Sequence, residues 1–299
     1  MSAPRGRVLI TGGAGSVGQG LARVLAAEGY RVRVLDLPQC DFSPLEDIAG
    51  LEIVRGSITD ADALRQAAAG VDAAVHLAAL LPPASERDRE TTMAVNAGGT
   101  ALLVEALARE NPRARLVLSS SVCVYGDTGA HGAADDDPPV RVERPTAPLD
   151  VYGESKVTAE DIVRQGPLPH VILRISGILV PEVLAFPEAW PFAAEQRIEF
   201  VCRDDVTGAL AAAVGAEGAQ GKTLHVAGGP TWRMRGSDYV ERLSEVFGVP
   251  ADMVPYRDGP ASFDWYDAED AQALLGYQRT PFDAALAMIE RALAEAFET

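Results

Sequence analysis

In Arg7-Val8-Leu9-Ile10-Thr11-Gly12-Gly13-Ala14-Gly15-Ser16-Val17-Gly18 an apolar β-type run meets a glycine-rich turn and then a helix start. Val17 to Glu28 carries Leu21, Val24 and Leu25 on one helical face, and Gly29 stops it. A turn of this kind between strand and helix suits a dinucleotide pyrophosphate. Small residues let the backbone approach the phosphates, and the helix N-terminus presents free N–H groups. Gly12, Gly15, Ser16, Val17 and Gly18 are the candidate residues of that contact. Asp36 ends a second strand, Arg31 to Leu35, 18 residues after Gly18. A carboxylate there accepts hydrogen bonds from an adenosine ribose and repels a 2′-phosphate. Leu37 follows it instead of an arginine, so the pattern implies NAD over NADP; Arg33, in the same strand, is the cation that weighs against this preference.

Further strands are expected at Leu51 to Arg55, Val71 to Leu77, Arg115 to Ser119 and Val171 to Ile175. Helical segments separate them at Asp60 to Ala69, roughly Glu86 to Glu110, and Tyr152 to Arg164. Strands so separated need crossovers, which implies an α/β fold: a Rossmann-type doubly wound parallel sheet with helices on both faces. After Ile175 the alternation loosens, with helices at Asp204 to Ala216, Ser237 to Phe247 and Pro281 to Phe297 and a short strand at Thr223 to Val226. Residues 1–175 therefore read as a dinucleotide-binding domain. Residues 176–299 read as a smaller substrate-binding region, of which about 204–227 rejoins the sheet. Gly126 to Pro148 reads as a loop, either solvated or a lid over the site. The aromatic run Phe186, Trp190 and Phe192 reads as pocket lining or as core.

Of 299 residues, 47% are hydrophobic and 23% charged, which supports a sizeable core and excludes a disordered or collagen-like chain. Acidic residues outnumber basic ones 43 to 26, a net charge of −17. Such a surface repels phosphate backbones and anionic lipid, so neither nucleic acid nor membrane is an expected partner. No uncharged apolar run reaches the roughly 18 residues of a membrane span. Met1 to Arg7 leads into the first strand without a signal-peptide core. Cys40, Cys123 and Cys202 form no C-x-x-C pair, and His76, His131, His170 and His225 no ligand cluster. No metal or disulfide framework is expected, and a cytoplasmic location is.

Tyr152-Gly153-Glu154-Ser155-Lys156 places a phenol and an ammonium on one helical face. The ammonium favours the phenolate, and a tyrosine so tuned exchanges protons with an alcohol near neutral pH. Ser119-Ser120-Ser121-Val122-Cys123-Val124-Tyr125-Gly126 follows the fifth strand, at the sheet edge where ligands bind, and a serine there can orient a substrate oxygen.

With these motifs in this order, the chain resembles the extended short-chain dehydrogenases/reductases, the NAD-dependent epimerase/dehydratase-like branch. Thr11 to Gly18 resembles the cofactor turn, Val75-His76-Leu77-Ala78-Ala79 the fourth-strand motif, and Asn96 with Gly99-Thr100 a helix motif. Phe200 to Val206 is similar to a later segment of the family, with Glu199 for Asp and Cys202 for His; Leu275-Gly276-Tyr277 with Pro281 is similar to its ending. The resemblance implies Ser121, Tyr152 and Lys156 as the catalytic set, with Tyr152 and Lys156 also beside the nicotinamide ribose. It places Leu77, Ala78, Ala79 and Asn96 along the cofactor and Ser57-Ile58 near the adenine, although Ser57 stands where the family usually has Asp. A homodimer through the Glu86 to Glu110 and Tyr152 to Arg164 helices is implied too.

Three departures narrow the expectation. Val122 and Cys123 replace the Asp-Glu pair of the dehydratases, so elimination of water is not expected. Gly177 replaces the Asn that meets the diphosphate side in sugar-nucleotide members. Only the 16 residues Pro181 to Gln196 stand where those members have a longer segment, and they include no Lys or Arg. The expected substrate is a small sugar, sugar acid or other compact secondary alcohol or ketone. The expected activity is NAD-dependent hydride transfer. An epimerase with the same three residues is the alternative, and a non-catalytic NAD-binding sensor or scaffold a more remote one.

Overall fold

Val8, Leu9 and Ile10 lie in β1 (Arg5–Thr11), a strand covered on both sheet faces, which is why an unbroken apolar run stands there. The structure, a computed structural model, describes residues 5–130, 132–259 and 262–298. His131 and the first four residues of the Met1 to Arg7 stretch lie outside the described residues.

The chain continues through α1 (Ser16–Ala27), β2 (Tyr30–Asp36), β3 (Glu52–Arg55), α2 (Ala61–Ala68), β4 (Ala73–His76), α3 (Arg89–Met93), α4 (Gly99–Glu110), β5 (Arg115–Ser121), α5 (Val151–Gln165) and β6 (His170–Ile175). There follow β7 (Gly177–Leu179), β8 (Arg197–Cys202), α6 (Arg203–Gly215), β9 (Thr223–Val226), β10 (Arg233–Arg235), α7 (Gly236–Phe247), α8 (Glu269–Leu275) and α9 (Phe282–Glu298). Seven parallel strands in the order β3-β2-β1-β4-β5-β6-β9 make a Rossmann-type doubly wound sheet. The order reverses between β1 and β4, and ligands of such sheets bind in the crevice at the strand ends there. On one face Leu21 and Leu25 of α1 and Val206 and Leu210 of α6 pack with Val8, Ile10 and Val34. On the other, Leu64 of α2, Leu103 and Leu107 of α4 and Val163 of α5 pack with Leu9, Leu116 and Leu118.

A second sheet, β10-β8-β7, carries its own aromatic core of Trp190, Phe192, Trp232, Tyr239 and Phe282. Phe192 and Trp190 are therefore mainly packing groups. β9 leaves this region and pairs with β6 in the main sheet.

The long helix expected over roughly 86–110 is present from Arg89 to Glu110: Asp88 accepts the amide hydrogens of Glu90 and Thr91 to start α3, and a wider π-type turn at Ala94–Gly98 carries it into α4. Of the two readings of the 126–148 loop, the structure favours the surface loop over the lid. Buried Arg197 pairs with Asp264 and donates to the carbonyls of Ala134 (3.0 Å) and Asp137 (2.9 Å), pinning the loop to β8. Among the described residues, none of that loop lines the cleft described next.

Candidate active site

A cleft of about 500 Å³ opens at the C-terminal ends of β1, β4, β5 and β6. Its lining joins Gly12, Gly15, Ser16, Val17, Gly18 and Leu77 to Ser121, Tyr152 and Lys156. Gly12 has φ +73°, and a Cβ on it would stand 2.7 Å from the Ala78 amide nitrogen; one on Gly18 would stand 2.5 Å from the Gly12 carbonyl oxygen. Those glycines let the turn fold flat beneath the helix. No side chain caps α1, whose first amides face the cleft free of carboxylates in the first turn. This cradle fits a pyrophosphate.

Asp36 stays outside the lining and accepts the amide hydrogens of Ala14 (2.9 Å) and Leu37 (2.8 Å), so it braces the turn. Arg33 is spent internally. Its Nε and Nη2 bind Glu52, and its Nη1 donates to the carbonyls of Gln66, Ala67 and Ala69 at the end of α2. Buried and engaged on Glu52 and those carbonyls, the guanidinium is committed inside the fold, so the caution attached to Arg33 loses its weight.

Several expected cofactor residues are not brought to the cleft. Ser57 is half-buried and bonds Thr59 (2.8 Å), and Ile58 packs where a Gly99 Cβ would lie. Ala78 and Ala79 follow Leu77 outside the lining. Asn96 is a fastener: its Oδ1 accepts from the Leu80 amide (2.7 Å), and its Nδ2 donates to the Leu80 carbonyl (3.0 Å) and Ser155 Oγ (2.9 Å).

Ser121 ends β5, and its Oγ accepts the Cys123 amide hydrogen (3.2 Å). Tyr152 rides the first turn of α5. Asp150 caps that helix by accepting from Gly153 N–H (2.7 Å), and Glu86 accepts from the amides of Val151 (3.0 Å) and Tyr152 (3.1 Å). Buried Lys156 donates to the Ser119 carbonyl (2.9 Å), with Nζ 5.6 Å from the Tyr152 ring centroid. Burial pushes the lysine down to about 8 against the pull of Glu160. Burial likewise pushes the Tyr152 phenol up, with the Ser121 hydrogen bond opposing it. Loss of water around the ring therefore works against the lowering of the phenol expected from Lys156.

Behind β5, the buried Glu160 accepts from Ser120 Oγ (2.6 Å) and Arg174 Nε (2.9 Å), which commits the hydroxyl of Ser120, a residue of the cleft lining, to the carboxylate. Arg174 also donates to Tyr125 Oη (2.7 Å), which in turn lies 2.6 Å from His225 Nε2. His225 Nδ1 lies 2.9 Å from the Asp267 carbonyl, so Nδ1 carries the proton and Nε2 accepts from the tyrosine. Of the two residues after Ser121, Val122 is buried and Cys123 lines the cleft; neither offers a carboxylate. Phe200 explains Gly177: a Cβ there would stand 2.4 Å from its ring. Sequence reasoning missed Glu86, 66 residues from Tyr152, and Arg203, whose Nη1 lies 3.5 Å from Ser16 Oγ while paired with Glu182 and Asp204. It also missed Leu81, Pro82, Ser176 and Phe263 in the lining. Only Arg203 had a signal, as the one basic residue inside the Phe200 to Val206 segment. Among the described residues no cluster of His, Cys, Asp and Glu could hold a metal ion, and no helix is long and apolar enough to cross a membrane.

The model of the NAD dependent epimerase/dehydratase family matches residues 8–182, and the chain belongs to that family. It is 39% identical over 163 residues to a 3β-hydroxysteroid dehydrogenase/Δ5→4-isomerase of Mycobacterium tuberculosis, covering 53% of this chain and 42% of that one. It is 34% identical over 193 residues to a D-erythronate dehydrogenase of Cupriavidus necator, covering 58% and 55%. The matches thus span about half the length of these relatives. A short-chain dehydrogenase/reductase superfamily protein from Agrobacterium tumefaciens, solved with bound NAD, superposes with a TM-score of 0.78 at 23% identity over 97% of this chain and 98% of the other. That likeness is one of fold.

Proposed function

We propose that the protein is an NAD-dependent oxidoreductase of the short-chain dehydrogenase/reductase type, acting on a secondary alcohol or ketone of a compact substrate. The convergence of Ser121, Tyr152 and Lys156 with the glycine-rich cradle on one cleft carries this reading. NAD fits the cradle, where the open N-terminus of α1 receives the pyrophosphate and Asp36 repels a 2′-phosphate. When bound, NAD supplies the hydride acceptor. The protein's share is the proton and the geometry: the Tyr152 phenolate takes the alcohol proton, Ser121 Oγ orients the oxygen, and Lys156 supplies positive charge to the phenolate. The region after residue 175 is the substrate side, contributing Ser176 to Ile178, Val180 and Phe263 to the lining. Lys156 is the only cation among the described lining residues, which supports a substrate smaller than a nucleotide sugar, the class to which small sugars, sugar acids and comparable alcohols belong.

An epimerase would use the same three residues, and the family description supports that second reading. It would retain NAD through turnover and release no NADH. A homodimer through α4 and α5 is what the family resemblance implies, and the odd count of three cysteines without a C-x-x-C spacing supports a cytoplasmic location. Tyr152→Phe is expected to lose at least about a hundred-fold in turnover while binding NAD as the parent does, read by NADH absorbance and calorimetry. Full activity in that variant removes the proposal.

A further inference from the structure

We propose that the alcohol or ketone taken by this cleft carries a hydrocarbon body, a ring or branched chain, and is not a polyol or a carboxylate. This rests on the oxidoreductase reading above and narrows its substrate class.

The polar side chains of the cleft are nearly all committed. Lys156 is held on the Ser119 carbonyl and Ser120 on Glu160. Ser121 and Tyr152 meet the reacting oxygen. Ser16 belongs to the cofactor cradle, and two hydroxyls remain, Ser119 and the buried, unpartnered Ser176. They provide for at most a few further polar atoms. A sugar or sugar acid brings four or more hydroxyls, or a carboxylate that calls for a cation. Each one buried unpaired lowers affinity by about ten-fold or more. A site so lined rejects polyols through what it lacks.

The apolar lining points the same way. Leu81, Pro82, Ile178, Val180 and Phe263 line the same cleft as Ser121 and Tyr152. Leu81 is 56% exposed and Ile178 38%, although both are large aliphatic side chains. Ile178 and Val180 are shared with an adjoining pocket of about 210 Å³, where Val183, 60% exposed, stands beside Phe186 and Trp190. Exposed apolar side chains gathered at a binding cleft are covered by an apolar ligand. The hydrocarbon body lies along Leu81 and Ile178, its far end reaching the adjoining pocket, while its single oxygen meets Ser121 and Tyr152.

The test is a panel of alcohols at saturating NAD: cyclohexanol, cyclodecanol and menthol against xylose, erythronate and gluconate. Calorimetry of the matching ketones and aldonates is run on the NADH complex. NADH formation, or binding to that complex, with the hydrocarbon alcohols or ketones and not with the polyols is the expected result. Turnover or binding of polyols alone overturns this inference and leaves the oxidoreductase reading standing. Failure of every compound to bind overturns it as well, and failure to bind NAD removes the oxidoreductase reading itself. Ile178→Asn is expected to raise KM for the active hydrocarbon alcohol at least ten-fold with NAD affinity unchanged; an unchanged KM with intact NAD binding also overturns it.

Discussion

Lys156 joins two demands that pull against each other. Its ammonium must be close enough to favour the Tyr152 phenolate, yet the burial that brings it there lowers its own hold on the proton to about 8. The ammonium is therefore present at neutral pH and lost above that value. In alcohol oxidation the base form of Tyr152 is needed, so kcat/KM rises with pH. Lys156→Met is expected to move that rise upward by about one unit or more, with NAD affinity measured in parallel. A superimposable pH profile would show that the ammonium does not tune the phenol. The catalytic trio was legible in the sequence because its spacing is local: four residues on one helix for Tyr152 and Lys156, a strand end for Ser121. Partners were not. Nothing in Arg33 or Asn96 reveals that one is consumed by Glu52 and helix carbonyls and the other by Leu80 and Ser155.

Helix α5 presents Tyr152 because two carboxylates from different places, Asp150 and Glu86, hold its first amides. Only Asp150 is adjacent in sequence, so only that half of the support could have been read. Periodicity likewise could not show the π-type turn between α3 and α4, because apolar residues continue through it; the Asp88 cap is a local signal for the start of α3 alone. β7 and β10, three residues each, are too short to carry a pattern. The loop at 126–148 depends on Arg197, 2% exposed and paired with Asp264. Removing one partner of such a pair leaves a buried charge, so Arg197→Met is expected to cost about 3–5 kcal/mol in urea unfolding. The double variant Arg197→Met/Asp264→Leu should recover much of it. Unfolding of the single variant at the parent midpoint would mean the pair does not hold the loop.

Among the described residues two neutral imidazoles are buried in the molecule, His76 between Thr11 and Thr100 and His225 between Tyr125 and Asp267. Burial pushes them down to about 3 and about 4. Below the unfolded value of about 6.5, the unfolded chain takes up protons that the folded one refuses, so stability falls as pH drops from there towards 4. His225→Gln removes one of these protons. Its Tm should decline less steeply than the parent's below pH 6.5 and run parallel above it. Curves parallel throughout would place the acid sensitivity elsewhere.

The seventh strand of the main sheet has a consequence for dissection. The family match stops at residue 182, but β9 and α6, which complete the sheet and cover α1, come from beyond it. A truncation at 182 would leave β6 as a bare edge with open ladder groups and strip one side of the nucleotide half of its apolar cover. Such an edge templates aggregation. The half matched by the family model is thus expected not to fold alone, and the chain has to be synthesised past Val226 before the cofactor cradle stands on a finished floor.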